Sequence, residues 1–108
     1  VYIADAVKAY DSILIHKEQI AEPVNFGTGT EVSIVDLANK IIALCGAGDS
    51  IKPVFVDPRI GEVNRLVCDP SRARDLLGWK SEYDLDKGLA NFVQWYRDYG
   101  FEERMKIE

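Results

Sequence analysis

The segment from Ser33 to Gly46 constrains the fold most, because it carries every signal expected of an amphipathic helix. Ser33 and Asp36 have the spacing of a capping pair at a helix start. Apolar residues then recur every three or four positions, at Ile34, Leu37, Ala38, Ile41, Ile42 and Cys45. Gly46 stands where a left-handed residue commonly ends a helix. The pattern predicts a helix with one buried face.

Helical and extended patterns alternate along the rest of the chain. Further helices are predicted over residues 3–17, from Pro70 after the capping residue Asp69, and from Asp84 to Gly100. Short strands are predicted at residues 24–26 and 51–56, the second at a sheet edge because it contains a proline. The alternation predicts an α+β fold, with about four helices and a small sheet, in one domain over residues 1–108.

Buried faces are predicted on these helices from their apolar spacing. On the last helix that face comprises Leu85, Leu89, Phe92, Val93, Tyr96 and Tyr99. Trp95 lies beside this stripe, so we expect it to face a partner. The first helix has apolar Ile3, Val7, Tyr10 and Leu14 at helical spacing but no residue that caps it. Since the chain also begins with Val, we expect it to be cut from a longer protein.

Composition excludes several classes of function. The net charge of −5 argues against nucleic-acid binding, because phosphate backbones attract basic surfaces. No apolar run approaches the ~20 residues that cross a bilayer. His16 is the only histidine, so a zinc site is not expected. Cys45 and Cys68 both lie in apolar patterns and are interpreted as buried thiols in a reducing compartment, which predicts a cytoplasmic protein.

Two motifs of dinucleotide enzymes are present only in part. The run Gly27-Thr28-Gly29 lacks the third glycine of a dinucleotide-binding turn, and Gly46-Ala47-Gly48 follows a helix instead of a strand. Tyr83 and Lys87 have the spacing of a catalytic Tyr-x-x-x-Lys pair, but the helix is predicted to begin at Asp84, after the tyrosine. The sequence therefore predicts no bound cofactor, no metal and no catalytic residue in this chain.

Five short motifs, taken in order, are similar to a known family. They are Val1-Tyr2-Ile3-Ala4-Asp5-Ala6, Asn25-Phe26-Gly27-Thr28-Gly29, Arg59-Ile60-Gly61-Glu62-Val63, Leu76-Leu77-Gly78-Trp79 and Leu85-Asp86-Lys87-Gly88-Leu89. Together they resemble the extended short-chain dehydrogenase/reductases, which include NAD-dependent nucleotide-sugar 4-epimerases and 4,6-dehydratases. The chain resembles only their carboxy-terminal, substrate-binding part. The resemblance implies that the Rossmann half, with NAD and the catalytic pair, is absent, and that residues 1–29 pack on that half.

The resemblance also implies the binding residues. Arg59 would contact the diphosphate of a nucleoside-diphosphate sugar, and Glu62 would accept hydrogen bonds from the ribose hydroxyls. Gly61 would let the backbone come close to the ligand. Arg65 would support the phosphates or pair with Glu62, and the pairing is the interpretation we favour. Asn25 lies at a junction near the cleft, where a turn role is favoured over ligand contact.

Two functions from different classes follow. In the first, the chain is the substrate half of an epimerase or dehydratase and is not catalytically competent alone, and residues 62–69 favour dehydratase-like relatives slightly. In the second, it is a non-catalytic interaction module that has kept the scaffold. Since the first helix is expected to expose apolar surface, both interpretations predict a partner, which is either a Rossmann half or an identical chain in a dimer.

Overall fold

The computed structural model describes residues 1–18, 20–48 and 50–104, with side chains described as far as residue 100. These residues form four α-helices: α1 (Ile3–Ile15), α2 (Ile34–Leu44), α3 (Ser71–Leu77) and α4 (Leu85–Arg104). The chain divides into two compact units. The first contains Val1–Glu31 and Gly61–Leu85, and the second contains Val32–Ile60 and Asp86–Glu108. Among the described helices, none is both long and apolar enough to cross a membrane.

The predicted small sheet is wrong, because the described residues contain helices and no strand. Residues 24–26 and 51–56 have strand-like composition, but a strand exists only when a neighbouring strand accepts and donates its backbone hydrogen bonds. In the second segment Pro53 cannot donate such a bond, and Val54, Phe55 and Val56 are more than 80 % exposed. Composition alone therefore overestimated the sheet.

Local signals predicted the helix starts well. The Ser33 hydroxyl accepts a hydrogen bond from the Asp36 amide at 3.1 Å, and Gly46 adopts a left-handed φ of 69° just after α2. Asp69 Oδ1 accepts from the Ser71 amide at 2.9 Å at the beginning of α3. The predicted stop at Gly100 is wrong, since α4 continues to Arg104.

The first unit is built around Trp79. This side chain is 5 % exposed and packs with Ala9 and Ala73, and Phe26 meets its indole edge-to-face at a centroid distance of 5.1 Å. The indole N–H donates to the Asp5 carbonyl oxygen at 3.1 Å. Burial of an indole with its N–H satisfied favours a single arrangement of these side chains.

Helix α1 buries its polar and small side and exposes its large apolar side. Asp5 and Ala9 are its buried residues. The stripe that includes Val7, Tyr10 and Leu14 is 53 %, 71 % and 81 % exposed, respectively. This exposure agrees with the expectation that α1 presents apolar surface.

The second unit contains α2 and most of α4. Lys40 of α2 forms an ion pair with Asp86 of α4, and the Arg97 guanidinium donates to the Leu44 carbonyl oxygen at 2.9 Å. Val93 is buried as predicted, but Phe92 is 51 % exposed and Cys45 is also exposed, so the predicted burial of these two residues is wrong. Helical spacing identified a face, whereas the depth of burial depends on what covers that face.

Candidate functional site

The segment that contains most of the predicted binding residues is exposed. Arg59 lies in the second unit, and Gly61, Glu62 and Arg65 lie in the first. Gly61 has a φ of 85°, a conformation that side chains with a Cβ rarely adopt. The glycine is therefore required for the backbone turn, whatever it binds.

Arg65 has a partner that the sequence analysis did not identify. Its Nε donates to Glu31 Oε1 at 2.8 Å, and its NH2 donates to Glu31 Oε2 at 2.7 Å. The two parallel bonds form a bidentate pair, which lowers the pKa of Glu31. Arg65 thus forms an ion pair with Glu31, whereas its predicted pairing with Glu62 stays a prediction. The sequence separation of 34 residues leaves no local signal for this pair.

Asn25 is exposed and lies immediately before a tight part of the first unit. Gly27 is buried, and a Cβ added there would overlap with the Cys68 sulfur. Gly29 adopts a φ of 69°. The run Gly27-Thr28-Gly29 therefore has glycines where close packing and a left-handed turn require them.

Asp5 is a buried, hydrogen-bonded residue of the first unit. Its carboxyl is fully buried and accepts hydrogen bonds from the Ser81 hydroxyl at 2.8 Å, the Glu82 amide at 3.0 Å and the Tyr83 amide at 3.1 Å. Burial opposes ionisation, but these hydrogen bonds and the nearby charge of Lys8 outweigh it and lower the pKa of Asp5. The ionised carboxylate thus fastens α1 to residues 81–83.

Tyr83 and Lys87 do not lie on the same helix. Helix α4 begins at Leu85, so Tyr83 precedes it, as predicted. The Tyr83 ring lies 4.6 Å from that of Tyr2, centroid to centroid. A catalytic tyrosine of this type requires a lysine one turn away on the same helix, and the pair lacks that context.

The described part of the chain contains neither a cluster of metal ligands nor a disulfide. Within residues 1–18, 20–48 and 50–104 there is no group of three or more His, Cys, Asp and Glu side chains that could hold a metal ion. Cys45 and Cys68 are both free thiols.

Comparison with known proteins identifies relatives over most of the chain. It is 39 % identical to UDP-glucose 4-epimerase of Mycolicibacterium smegmatis over 68 % of its length, and 33 % identical to UDP-glucose 4-epimerase of Caenorhabditis elegans over 82 %. It is 32 % identical to dTDP-glucose 4,6-dehydratase of Streptomyces niveus over 90 %. No protein-family model matches the chain.

Each match covers only part of the relative. The chain spans 23 %, 25 % and 28 % of the lengths of these three proteins. Because epimerases and dehydratases both match, and each over most of the chain, the similarity concerns a region that the two classes share. This chain is homologous to a partial region of the family that contains the UDP-glucose 4-epimerases and the dTDP-glucose 4,6-dehydratases.

Proposed function

We propose that this chain binds the nucleoside-diphosphate part of a nucleotide sugar, as the substrate half of an NAD-dependent sugar 4-epimerase or 4,6-dehydratase. The observation that carries the proposal is the homology over most of the chain to proteins whose names specify UDP-glucose or dTDP-glucose. In the complete enzyme, hydride would pass from the sugar C4 to NAD bound by another part of the protein. The chain supplies substrate binding and is not competent in catalysis alone.

Arg59 is the first residue of the proposed site. A guanidinium is planar and always charged, and it can donate two parallel hydrogen bonds to a diphosphate. Gly61, with its left-handed backbone, turns the chain two residues later and exposes Glu62. An ionised carboxylate only accepts hydrogen bonds, which suits the hydroxyls of a ribose.

Arg65 and Asn25 have supporting roles in this proposal. Since Arg65 already makes two bonds to Glu31, it holds the segment that follows Gly61 and does not itself bind the phosphates. Asn25 lies two residues before the buried Gly27, and we assign it a turn role instead of a ligand contact. The ligand would then depend on Arg59 and Glu62, which are exposed.

The test is a thermal-shift and calorimetry panel of UDP-, dTDP-, GDP- and CDP-sugars, with NAD as a further ligand. A nucleotide sugar present at 100 times its dissociation constant should stabilise the chain by about 2.7 kcal/mol. Arg59→Gln should abolish the shift, and Arg59→Lys should restore only part of it because an ammonium cannot make the paired contact. Lys52→Gln, which removes a cation seven positions away in sequence, should bind as the parent does.

No shift with any nucleotide sugar, or an equal shift in Arg59→Gln, would contradict the proposal. The second candidate would then be favoured, namely an interaction module that associates with a Rossmann half or with an identical chain. The exposed apolar stripe on α1 supports that candidate, because it presents large side chains that water solvates poorly.

A further inference from the structure

A small cleft in the first unit combines features that suit an anion. It is lined by the buried Gly27 and Trp79, by the hydroxyl residues Thr28 and Ser81, and by the cationic Arg74 and Lys80, with Pro70 closing one side. Its volume is about 150 Å³. None of the five residues proposed above to bind or support a nucleotide sugar lines it.

Two positive charges face this cleft, and none of its lining residues carries a carboxylate. Arg74 uses its Nε in a surface pair with Asp75 at 3.0 Å, which leaves its terminal NH2 groups to meet a ligand. Thr28 Oγ1 accepts from the Thr30 amide at 3.3 Å, so its hydroxyl hydrogen remains to be donated. Two cations and a hydroxyl donor that line the same cleft can together hold an oxyanion.

The wall of the cleft is held in place before any ligand arrives. Trp79 is fixed by Phe26 on one edge and by the Asp5 carbonyl on its N–H. Gly27 packs too closely against Cys68 for any larger residue to fit. The Ser81 hydroxyl is bound to the buried Asp5 carboxylate. Because the wall is already ordered, binding costs conformational entropy only for the two cationic side chains. Two flexible cations therefore suffice to hold a small ligand.

We propose that this cleft binds a phosphate-sized oxyanion, with Arg74 and Lys80 as its two charged contacts. An enclosed cavity of about 150 Å³ in another protein holds one benzene molecule, so a single phosphate group fits in this cleft. The lining residues differ from those of the proposed nucleotide-sugar site. It accepts either a free phosphate ion or the phosphoryl end of a larger compound.

The test is a titration of the full 108-residue chain with sodium phosphate at constant ionic strength, followed in amide and indole N–H correlation spectra. The Gly27 and Thr28 amides and the Trp79 indole report on the cleft, and the Trp95 indole in the second unit is an internal control. We expect saturable shifts of the three cleft signals only. The variant Arg74→Gln/Lys80→Gln should weaken phosphate binding about tenfold or more, because two charge-assisted contacts are lost.

The control Arg97→Gln/Lys17→Gln removes the same net charge from positions outside the cleft and should keep the parent affinity. Arg59→Gln should also leave phosphate binding at the cleft unchanged, which separates this site from the proposed nucleotide site. A titration with phenyl phosphate distinguishes a free phosphate ion from the phosphoryl end of a larger compound. If phenyl phosphate binds as tightly as inorganic phosphate, the ligand is a phosphoryl group of a larger compound. If only inorganic phosphate binds, the ligand is the free ion. Chemical-shift changes that do not saturate with either ligand would overturn the proposal. So would an Arg74→Gln/Lys80→Gln variant that is folded, as a dispersed spectrum shows, and that binds phosphate with the parent affinity.

Discussion

At the residue level, Asp5 shows how a small fold accommodates a buried charged side chain. Its carboxyl is fully buried, and its three hydrogen bonds come from a segment more than 70 residues away in sequence. A buried carboxylate costs free energy unless its oxygens are hydrogen-bonded. Each of these contacts exists only in the folded chain, so local sequence does not predict the burial of Asp5.

Asp5→Asn should lower the free energy of unfolding by about 2–3 kcal/mol at neutral pH, because an amide NH2 group would then face a backbone N–H. Urea unfolding followed by tryptophan fluorescence measures this. Asp11→Asn is the matched control, since Asp11 is an exposed residue of the same helix, and it should change stability little. An equal effect of the two substitutions would show that the Asp5 hydrogen bonds contribute nothing.

The same variant has a defined pH dependence. The pKa of Asp5 is lowered in the folded chain from its ordinary value of 3.8. A lowered pKa means that the stabilisation is fully present above the unfolded value and is lost as pH falls through the folded value. The stability difference between the parent and Asp5→Asn should therefore hold from about pH 7 to pH 5 and shrink below about pH 4. A difference that grows on acidification would contradict this.

At the level of elements, local sequence signals predicted the helices correctly but predicted strands that the described residues do not form. Ser33 and Asp69 accept hydrogen bonds from amides two or three residues later, and Gly46 adopts a left-handed backbone. Because these interactions are local, the boundaries of α2 and the start of α3 were predictable. The end of α4 was not, because Gly100 lies under the Tyr96 ring and serves close packing instead of termination. The function of a glycine depends on its neighbours in space.

Ser33→Ala should destabilise the unit that contains α2 by about 1 kcal/mol, since it removes the acceptor for the Asp36 amide. Ser33→Thr keeps the hydroxyl and should lose much less. The free energy of unfolding by urea is the measurement, with circular dichroism as the probe of helix content. Equal losses in the two variants would mean that the capping bond does not stabilise α2.

At the scale of the whole molecule, many large apolar side chains of the described residues are exposed. Among them are the stripe on α1 in the first unit and the segment from Val54 to Val56 in the second. Surface of this kind favours association with more polypeptide.

We expect the isolated chain to associate with itself, with a mass above 12.2 kDa that rises with concentration in light scattering coupled to size exclusion. Tyr10→Lys/Leu14→Lys places two charges on the exposed stripe of α1 and should shift the mass toward that of the monomer. Asp11→Lys changes charge on the same helix outside the stripe and should not. A monomer at every concentration would contradict self-association through α1.

The sequence by itself determined the family, through five short motifs in order. It also determined the number and starts of the helices and the apolar stripe on α1, because capping residues and apolar spacing act over a few neighbouring positions. It also placed Arg59, Gly61 and Glu62 in one motif, whose binding role stays a prediction. Only the tertiary structure decided that no sheet forms among the described residues, that Asp5 is buried, that Arg65 pairs with Glu31, and that Arg74 and Lys80 share a cleft. These features join residues far apart in the chain, and their free energies depend on burial and on partners that local sequence does not specify.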